Sequence, residues 1–346
     1  MVDPRLLHGR PADSDVSARR PVRTVVFTDL DSPFGVPHLF ELLGTPGCQV
    51  VAVVIGAPGP SETGGVMRLP DRWGRAVLRD VLKTTTDLGV PVLQVPSVRD
   101  GTLVHALEGL SPDLLVSAGF RRILPREVLN VPACAAVNLH PSRLPRVRGR
   151  NPWFWTVATG ETETAATLHH MVEEVDAGDI VFQVRVGVDA NDTASSLQLK
   201  TTLESLRLIA PLIEAAAQGP LPRHPQNLSD GAVFSEPSDR DRMLDWSAAA
   251  GTVHRLIRAS LLTPGAHTRF RERGVRVLDA ELGTDPALWA TAAPPGAVLK
   301  ATTNGVAVKA GDGHVVLRRL EYGGQPLPAA SVVGLAGGEG AHDRFC

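Results

Sequence analysis

Lysine is scarce in this chain: Lys83, Lys200, Lys300 and Lys309 are its four lysines among 346 residues. Almost all positive charge is therefore arginine, which suits forked recognition of carboxylate or phosphate but is equally the imprint of GC-rich coding. Net charge is also small, at −2, which excludes a chain-wide field of the kind that gathers nucleic acid or anionic membrane. Cysteine is limited to Cys48, Cys134 and Cys346. An odd, scattered set without metal-ligand spacing implies no disulfide framework and no zinc site, and fits a reducing compartment. No run approaches the roughly 20 apolar residues of a membrane span, and Met1 to Arg20 lack the apolar core of a signal peptide. The expectation is a cytoplasmic protein without a membrane partner, its residues 1–22 a flexible tail. No G-x-G-x-x-G follows Val25-Val26-Phe27, which argues against a nicotinamide dehydrogenase. Asp29-Leu30-Asp31 has the form of an aspartyl phosphatase nucleophile, but the downstream lysine and acidic pair are missing.

What is present is an alternation of strand and helix. Short apolar runs at Thr24–Phe27, Val50–Ile55, Val90–Gln94, Leu114–Ser117 and Ala135–Asn138 are separated by amphipathic stretches, including Trp73–Leu88 and Leu103–Leu110. Such alternation predicts an α/β domain on a mostly parallel sheet, its early strands apolar throughout because both faces are covered. After Asn138 the rhythm changes. Ala166–Val172 and Ile180–Val186 read as two strands joined through a Glu174–Asp179 turn, and a helix follows over Ala194–Gln218. Prolines and a Ser-Asp-Gly turn mark 221–240 as a linker. Beyond it, short strands near Arg276, Ala297, Val306 and Val315 predict a small β-rich module of barrel type over 241–346. The length accommodates two such domains, 23–220 and 241–346.

Asn138 and His140 lie two apart at the end of an apolar run, so on a strand their side chains share a side. Chemistry at a carbonyl or formyl carbon needs hydrogen-bond donors where negative charge develops, and these two residues can supply them. The alternative is that Asn138 caps a turn and His140 packs beside Pro141. Asp176, in a turn ending at Gly178, can orient an imidazole or take a proton from an attacking amine, or it can be a solvated turn carboxylate. Of the adjacent His169 and His170, the first reads as a core or supporting histidine and the second as solvated, since neighbours on a strand face opposite ways.

The run Asn138-Leu-His140-Pro-Ser142-x-Leu144-Pro145-x-x-Arg148-Gly149-x-x-Pro152, then Gly160-Glu-Thr-Glu-Thr164, Thr167-Leu-His169 and Asp176-Ala-Gly-Asp-Ile180, resembles the folate-dependent formyltransferase family. Asp245-Trp246, Arg255-Leu-Ile-Arg258 and Thr263-Pro-Gly-Ala266 are similar to the entry of the OB-like C-terminal domain of several members. The resemblance implies a Rossmann-like catalytic domain that uses N10-formyltetrahydrofolate as formyl donor, with Asn138, His140 and Asp176 as catalytic residues. It implies that Asn138 and His140 stabilise an oxyanion, and that Asp176 orients His140 and shares in proton removal. It also puts Phe120, Arg121, Arg122, Ile123 and Leu124 in the pterin loop, where backbone groups make the contacts, with Val175 on the opposite wall. Ile123 and Leu124 can instead be the apolar staple of the next helix.

For the acceptor, members that act on tRNA carry a basic insertion after the second strand, where this chain has Gly56-Ala-Pro-Gly-Pro-Ser-Glu-Thr-Gly-Gly65. Nearby Arg68, Arg72, Arg75 and Arg79 read as the solvated face of a helix. Arg150-Asn151-Pro-Trp153-Phe-Trp155 sets aromatic and amide groups beside the formyl site, which suits a compact ligand. Arg150, Asn151 and Trp153 are the candidate acceptor contacts; alternatively the tryptophans pack a helix into the sheet. Charge in the C-terminal module is nearly balanced and gives no nucleic-acid footprint. The expected acceptor is a small-molecule amine such as a nucleotide-linked amino sugar, with methionyl-tRNA as the alternative, and a folate-binding protein without transfer activity as the reading from another class.

Overall fold

A computed structural model describes residues 20–29, 32–56, 80–81, 83–95, 97–99, 101–271, 273–335 and 344–346. Most of the expected tail lies outside these residues, as do the 57–79 stretch with its four arginines, Leu30 and Asp31.

The first domain is built on β1 (Val22–Phe27), β2 (Cys48–Gly56), β3 (Val92–Val95), β4 (Leu114–Ala118), β5 (Ala135–His140), β7 (Glu163–His170) and β8 (Ile180–Gly187). They form one sheet in the order β3-β2-β1-β4-β5-β7-β8. The first five strands are parallel, whereas β7 runs antiparallel to β5 and β8 antiparallel to β7. Burial on both faces follows from sequence: Val22 and Val26 of β1 join one apolar cluster, and the intervening Val25 and Phe27 join the other. The helices α1 (Gly35–Gly44), α2 (Thr102–Leu110), α3 (Arg126–Leu129), α4 (Pro152–Ala158), α5 (Ala194–Leu206) and α6 (Ile209–Gln218) complete the domain. The helix expected over Ala194–Gln218 is two, because Pro211 has no backbone N–H and its ring excludes a continuous helix through the residues before it.

The sheet changes direction between β1 and β4, and ligands of open α/β sheets bind beyond the strand ends at such a point. The loops leaving β1, β4 and β5 all open there.

The segment expected to be a linker is structured. It carries β9 (Ala232–Phe234), which pairs in parallel with β6 (Val147–Gly149). A short α7 (Asp239–Arg242) leads to α8 (Ala250–Ala259) and the second domain. There β10 (Ala266–Phe270), β11 (Arg273–Leu282), β14 (His314–Tyr322), β13 (Gly305–Lys309) and β12 (Val298–Thr302) form an antiparallel sheet in that order, with β15 (Gln325–Pro328) beside β14. Phe345 bridges to Phe270 and Arg344 to Ala297, so the last residues of the chain span the gap between the two outer edges and draw the sheet toward a barrel. Trp246, Phe270 and Phe345 anchor its core. The domains interlock through a cluster in which Phe154 and Val157 of α4 and Leu197 of α5 pack with Ala259 of α8.

Candidate active site

Asn138, His140, His169 and Asp176 come together at the carboxyl end of β5. In this register Asn138 lies opposite His169 on β7, one strand over. Asn138 Nδ2 donates to His169 Nε2 at 3.1 Å, and His169 Nδ1 donates to the His170 carbonyl at 2.8 Å. The carbonyl can only accept, so the proton sits on His169 Nδ1 and its Nε2 lone pair faces the Asn138 amide. That contact fixes which way the amide is turned, and its second N–H is left for the cavity that Asn138 lines.

Asp176 reaches this group from a turn where it adopts φ +51°, a left-handed conformation that Asp tolerates better than most residues. Its Oδ2 accepts from the Gly149 N–H at 2.7 Å and lies 3.5 Å from His140 Nδ1, and its Oδ1 lies 3.5 Å from His169 Nε2. Burial pushes the Asp176 carboxyl up, but the His140 and His169 imidazoles and the Gly149 amide outweigh burial and hold it well below the usual carboxylate range. Burial lowers His140 below the ordinary imidazole value against the pull of Asp176. At neutral pH this makes a neutral imidazole beside a carboxylate. His140 Nε2 donates to the Val147 carbonyl at 3.1 Å, which leaves Nδ1 as the nitrogen that can take a proton, facing Asp176.

Two glycines are required by this geometry. A Cβ on Gly178 would lie 1.9 Å from the His170 carbonyl oxygen, so only glycine brings the Asp176 turn this close to β7. Gly149, at φ +93°, would place a Cβ 2.2 Å from the Phe234 oxygen.

These residues line a cavity of about 530 Å³. One set of its lining side chains is apolar: Phe120, Ile123 and Leu129 after β4, and Met171, Val172 and Val175 after β7. A second set comes from the loop into α4, from α5 and from β9, and includes Arg150, Asn151, Trp153, Gln198, Phe234 and Glu236. Every residue expected at the site from sequence therefore lines one cavity, Arg121, Arg122 and Leu124 included. The two loop arginines are committed to the protein: Arg121 donates its backbone N–H and Nε to Asp29 Oδ2, at 3.0 and 2.9 Å, and Arg122 donates to the Val95 carbonyl. Asp29, the lone described member of the phosphatase-like triplet, thus shapes the loop after β4. Leu124 is buried in the core cluster against which half-buried Leu129 packs, as a helix staple would be, whereas Ile123 is exposed.

Several expectations need correction. His170 is buried, its Nε2 donating to the Pro222 carbonyl, because β7 is covered on both faces. The packing alternative holds for the indole N–H groups: Trp153 Nε1 donates to Thr201 Oγ1 at 2.9 Å with its ring against Phe34 while the residue also lines the cavity, and Trp155 stacks on Phe234 and donates to the Ser235 carbonyl at 2.8 Å. Sequence reasoning also missed Gln226, whose Nε2 donates to the Asp176 and Gly178 carbonyls at 2.9 and 2.6 Å and so braces the Asp176 turn from the supposed linker. Among the described residues no group of His, Cys, Asp and Glu could hold a metal ion, and no helix is long and apolar enough to cross a membrane.

A Rossmann-like sheet with an Asn-His-Asp group at the carboxyl end of β5 defines an enzyme of acyl-group transfer. Residues 75–210 match the formyl transferase family and residues 238–334 the formyl transferase C-terminal domain. Methionyl-tRNA formyltransferase of Anaeromyxobacter dehalogenans is 34% identical over 315 residues, covering 89% of this chain and 95% of that protein. The chain belongs to the formyl transferase family. Its fold is shared with an N-formyltransferase of Helicobacter canadensis solved with folinic acid and dTDP-3-aminofucose (TM-score 0.60, 16% identity, 86% of this chain and 98% of that one). It is shared as well with HypX of Aquifex aeolicus (TM-score 0.60, 21% identity, 92% of this chain), of whose length this chain spans about half, 48%. The small-molecule acceptor expected from sequence is overturned by the relatives: others 30–34% identical over most of the chain carry the same methionyl-tRNA formyltransferase name.

Proposed function

We propose that this chain transfers the formyl group of N10-formyltetrahydrofolate to the α-amine of methionyl initiator tRNA. The observation that carries the acceptor is the 30–34% identity, over 83–90% of the chain, to relatives named for that reaction. The donor fits the cavity. Ile123 and Val172 are large apolar side chains exposed at its wall, and with Phe120 and Val175 they offer the flat apolar surfaces that a fused heterocycle needs. When bound, the folate supplies a formyl group on a nitrogen that departs as an amine.

The chain's own residues do the rest. As an amine adds to a formyl carbon, charge builds on the formyl oxygen, and the second N–H of Asn138 is the donor placed to meet it. His169 keeps the amide turned for that task. The proton released by the amine is taken up at His140 Nδ1, where the imidazolium is paired with the ionised Asp176 3.5 Å away, and is passed on to the folate nitrogen as its bond to the formyl carbon breaks, which leaves His140 neutral again. Gly149 and Gln226 hold the carboxylate and its turn in register.

The test is formyl release from N10-formyltetrahydrofolate in the presence of methionyl initiator tRNA, uncharged tRNA, or a dTDP-linked amino sugar, with Asp176→Asn as control. Formylation of methionyl-tRNA alone is expected, with turnover at least about 10³-fold lower in the control, in the range that loss of a proton-handling group brings. Turnover with the amino sugar and none with methionyl-tRNA would overturn the proposal.

A further inference from the structure

Glu236 lies two residues past β9, in the stretch that reads as a linker, yet it lines the cavity. Three consecutive residues there are fastened to the loop into α4. The Phe234 carbonyl accepts from the Arg150 N–H at 2.9 Å, the Ser235 carbonyl from Trp155 Nε1 at 2.8 Å, and Glu236 Oε1 from Asn151 Nδ2 at 3.1 Å. Asn151 is at φ 50°, and its Oδ1 accepts from the Phe154 N–H at the start of α4, so its amide is held at both ends. The same loop begins at Gly149, whose N–H holds Asp176. Gly149 and Asn151 are two residues apart, a Cα separation of at most about 7 Å. The carboxylates of Asp176 and Glu236 therefore hang from one short, rigid piece of chain.

Asp176 sits between His140 and His169 with Oδ2 held by the Gly149 N–H, but Glu236 is differently placed. Its Oε1 is pinned by Asn151, while the nearest cation to Oε2 is Arg150 Nε at 3.9 Å, beyond hydrogen-bonding distance. Its side chain is 18% exposed, against 54% for Arg150. A carboxylate fixed by one oxygen in the wall of a cavity, with its other oxygen open to a donor, attracts N–H groups and positive charge and disfavours anions.

We propose that Glu236 is a specificity-determining residue for the acceptor: Oε2 receives a hydrogen bond from the α-ammonium of the aminoacyl end, which loses one proton to solvent before the neutral amine attacks. This rests on the methionyl-tRNA reading above. Free α-amino groups titrate near ~7.7–8.0, so an arriving acceptor is largely cationic at neutral pH, and an α-hydroxy ester is not. The formylated product has lost that charge as well, so Glu236 holds substrate better than product and favours release.

The experiment uses the full chain, initiator tRNA charged with methionine as substrate, and the same tRNA charged with the α-hydroxy analogue of methionine as competitive inhibitor. Glu236→Gln keeps an oxygen for Asn151 and removes the charge. It is expected to raise KM for methionyl-tRNA about tenfold at pH 7, with kcat within about threefold. By pH 8.5, where the acceptor amine is mostly neutral, the KM difference should shrink below about threefold. The Ki of the hydroxy analogue should not move. Asn151→Gly, which tolerates the left-handed backbone and releases Oε1, should shift KM in the same direction by less. An unchanged KM, an equal rise at both pH values, or an equal rise in Ki for the hydroxy analogue overturns the role of Glu236 while leaving the acceptor standing. A wild-type chain that leaves methionyl-tRNA unformylated overturns both.

Discussion

Replacing His169 with Leu removes a side chain that touches no reacting atom in the scheme above, which makes it a sensitive test of how Asn138 is held. His169 is buried and links the Asn138 amide to the His170 carbonyl through 3.1 and 2.8 Å hydrogen bonds. Leu fills similar space and breaks both. A net hydrogen bond of about 0.5–1.5 kcal/mol is what biases the amide toward presenting N–H, so its loss reduces the competent population by about 2- to 10-fold. The ceiling is set by Asn138→Ala, which deletes the donor itself and should cost about 10²–10³ in kcat. Steady-state kcat at saturating donor is the measurement, for both single variants and the double. If His169 acts only through Asn138, His169→Leu lowers kcat about 2- to 10-fold in the wild-type background and has no effect once Asn138 is Ala. His169→Gln, whose Oε1 can accept from the amide, should recover part of the loss. A kcat for His169→Leu within twofold of wild type, or losses that multiply in the double variant, would refute the positioning role.

Two further outcomes follow from groups around the site. His38 bridges α1 and α5, its Nδ1 on the Phe34 carbonyl and Nε2 on Ser205 Oγ, both at 2.6 Å, and burial pulls its pKa from 6.5 to about 4. The unfolded chain binds this proton first, so the stabilisation is full above pH 6.5 and is lost as pH falls toward 4; at ~1.4 kcal/mol per unit it amounts to about 3 kcal/mol. Urea unfolding at pH 7 and 4.5 should show that loss, His38→Gln should flatten it, and an identical pH slope in the variant would refute the assignment. Gln226→Ala, which frees the carbonyls of Asp176 and Gly178, should lower kcat about tenfold while costing about 1–2 kcal/mol of stability; an unchanged kcat would mean that Gly149 alone fixes the turn.

How far sequence carries depends on whether a signal is local. The strands of the first sheet are apolar runs with both faces covered, and Asn138 and His140 sit two apart on one of them, so period and spacing place them directly. Asp176 required the family motif, because nothing in a lone Asp-x-Gly-Asp turn says which strand end it meets. His170 misled because alternation on a strand predicts opposite faces, not which faces are wet, and β7 has none. The tryptophans left two readings open for a similar reason. An indole beside a site is as fit to bind Thr201 or Ser235 as a ligand, and those partners lie 48 and 80 residues away.

The largest gap between sequence and structure concerns 221–240, and it changes how the two domains relate. Its prolines and polar turns suppress periodicity, so it reads as a tether, yet its polar groups are what hold the site. Pro222 receives His170, His224 exchanges two backbone hydrogen bonds with Ile180, Gln226 braces the Asp176 turn, β9 pairs with β6, and Glu236 pins Asn151. A segment that satisfies so many groups around one cavity cannot shift without loosening them, and its far end runs straight into α7 and the second domain. Arg258 of α8 meanwhile donates to the Asp192 carbonyl just before α5. The second domain is thus tied to the first both through 221–240 and through α8. On the proposal above, a macromolecular acceptor that gripped the second domain would pull on the same segment that carries Glu236, whereas a free small amine has no such handle.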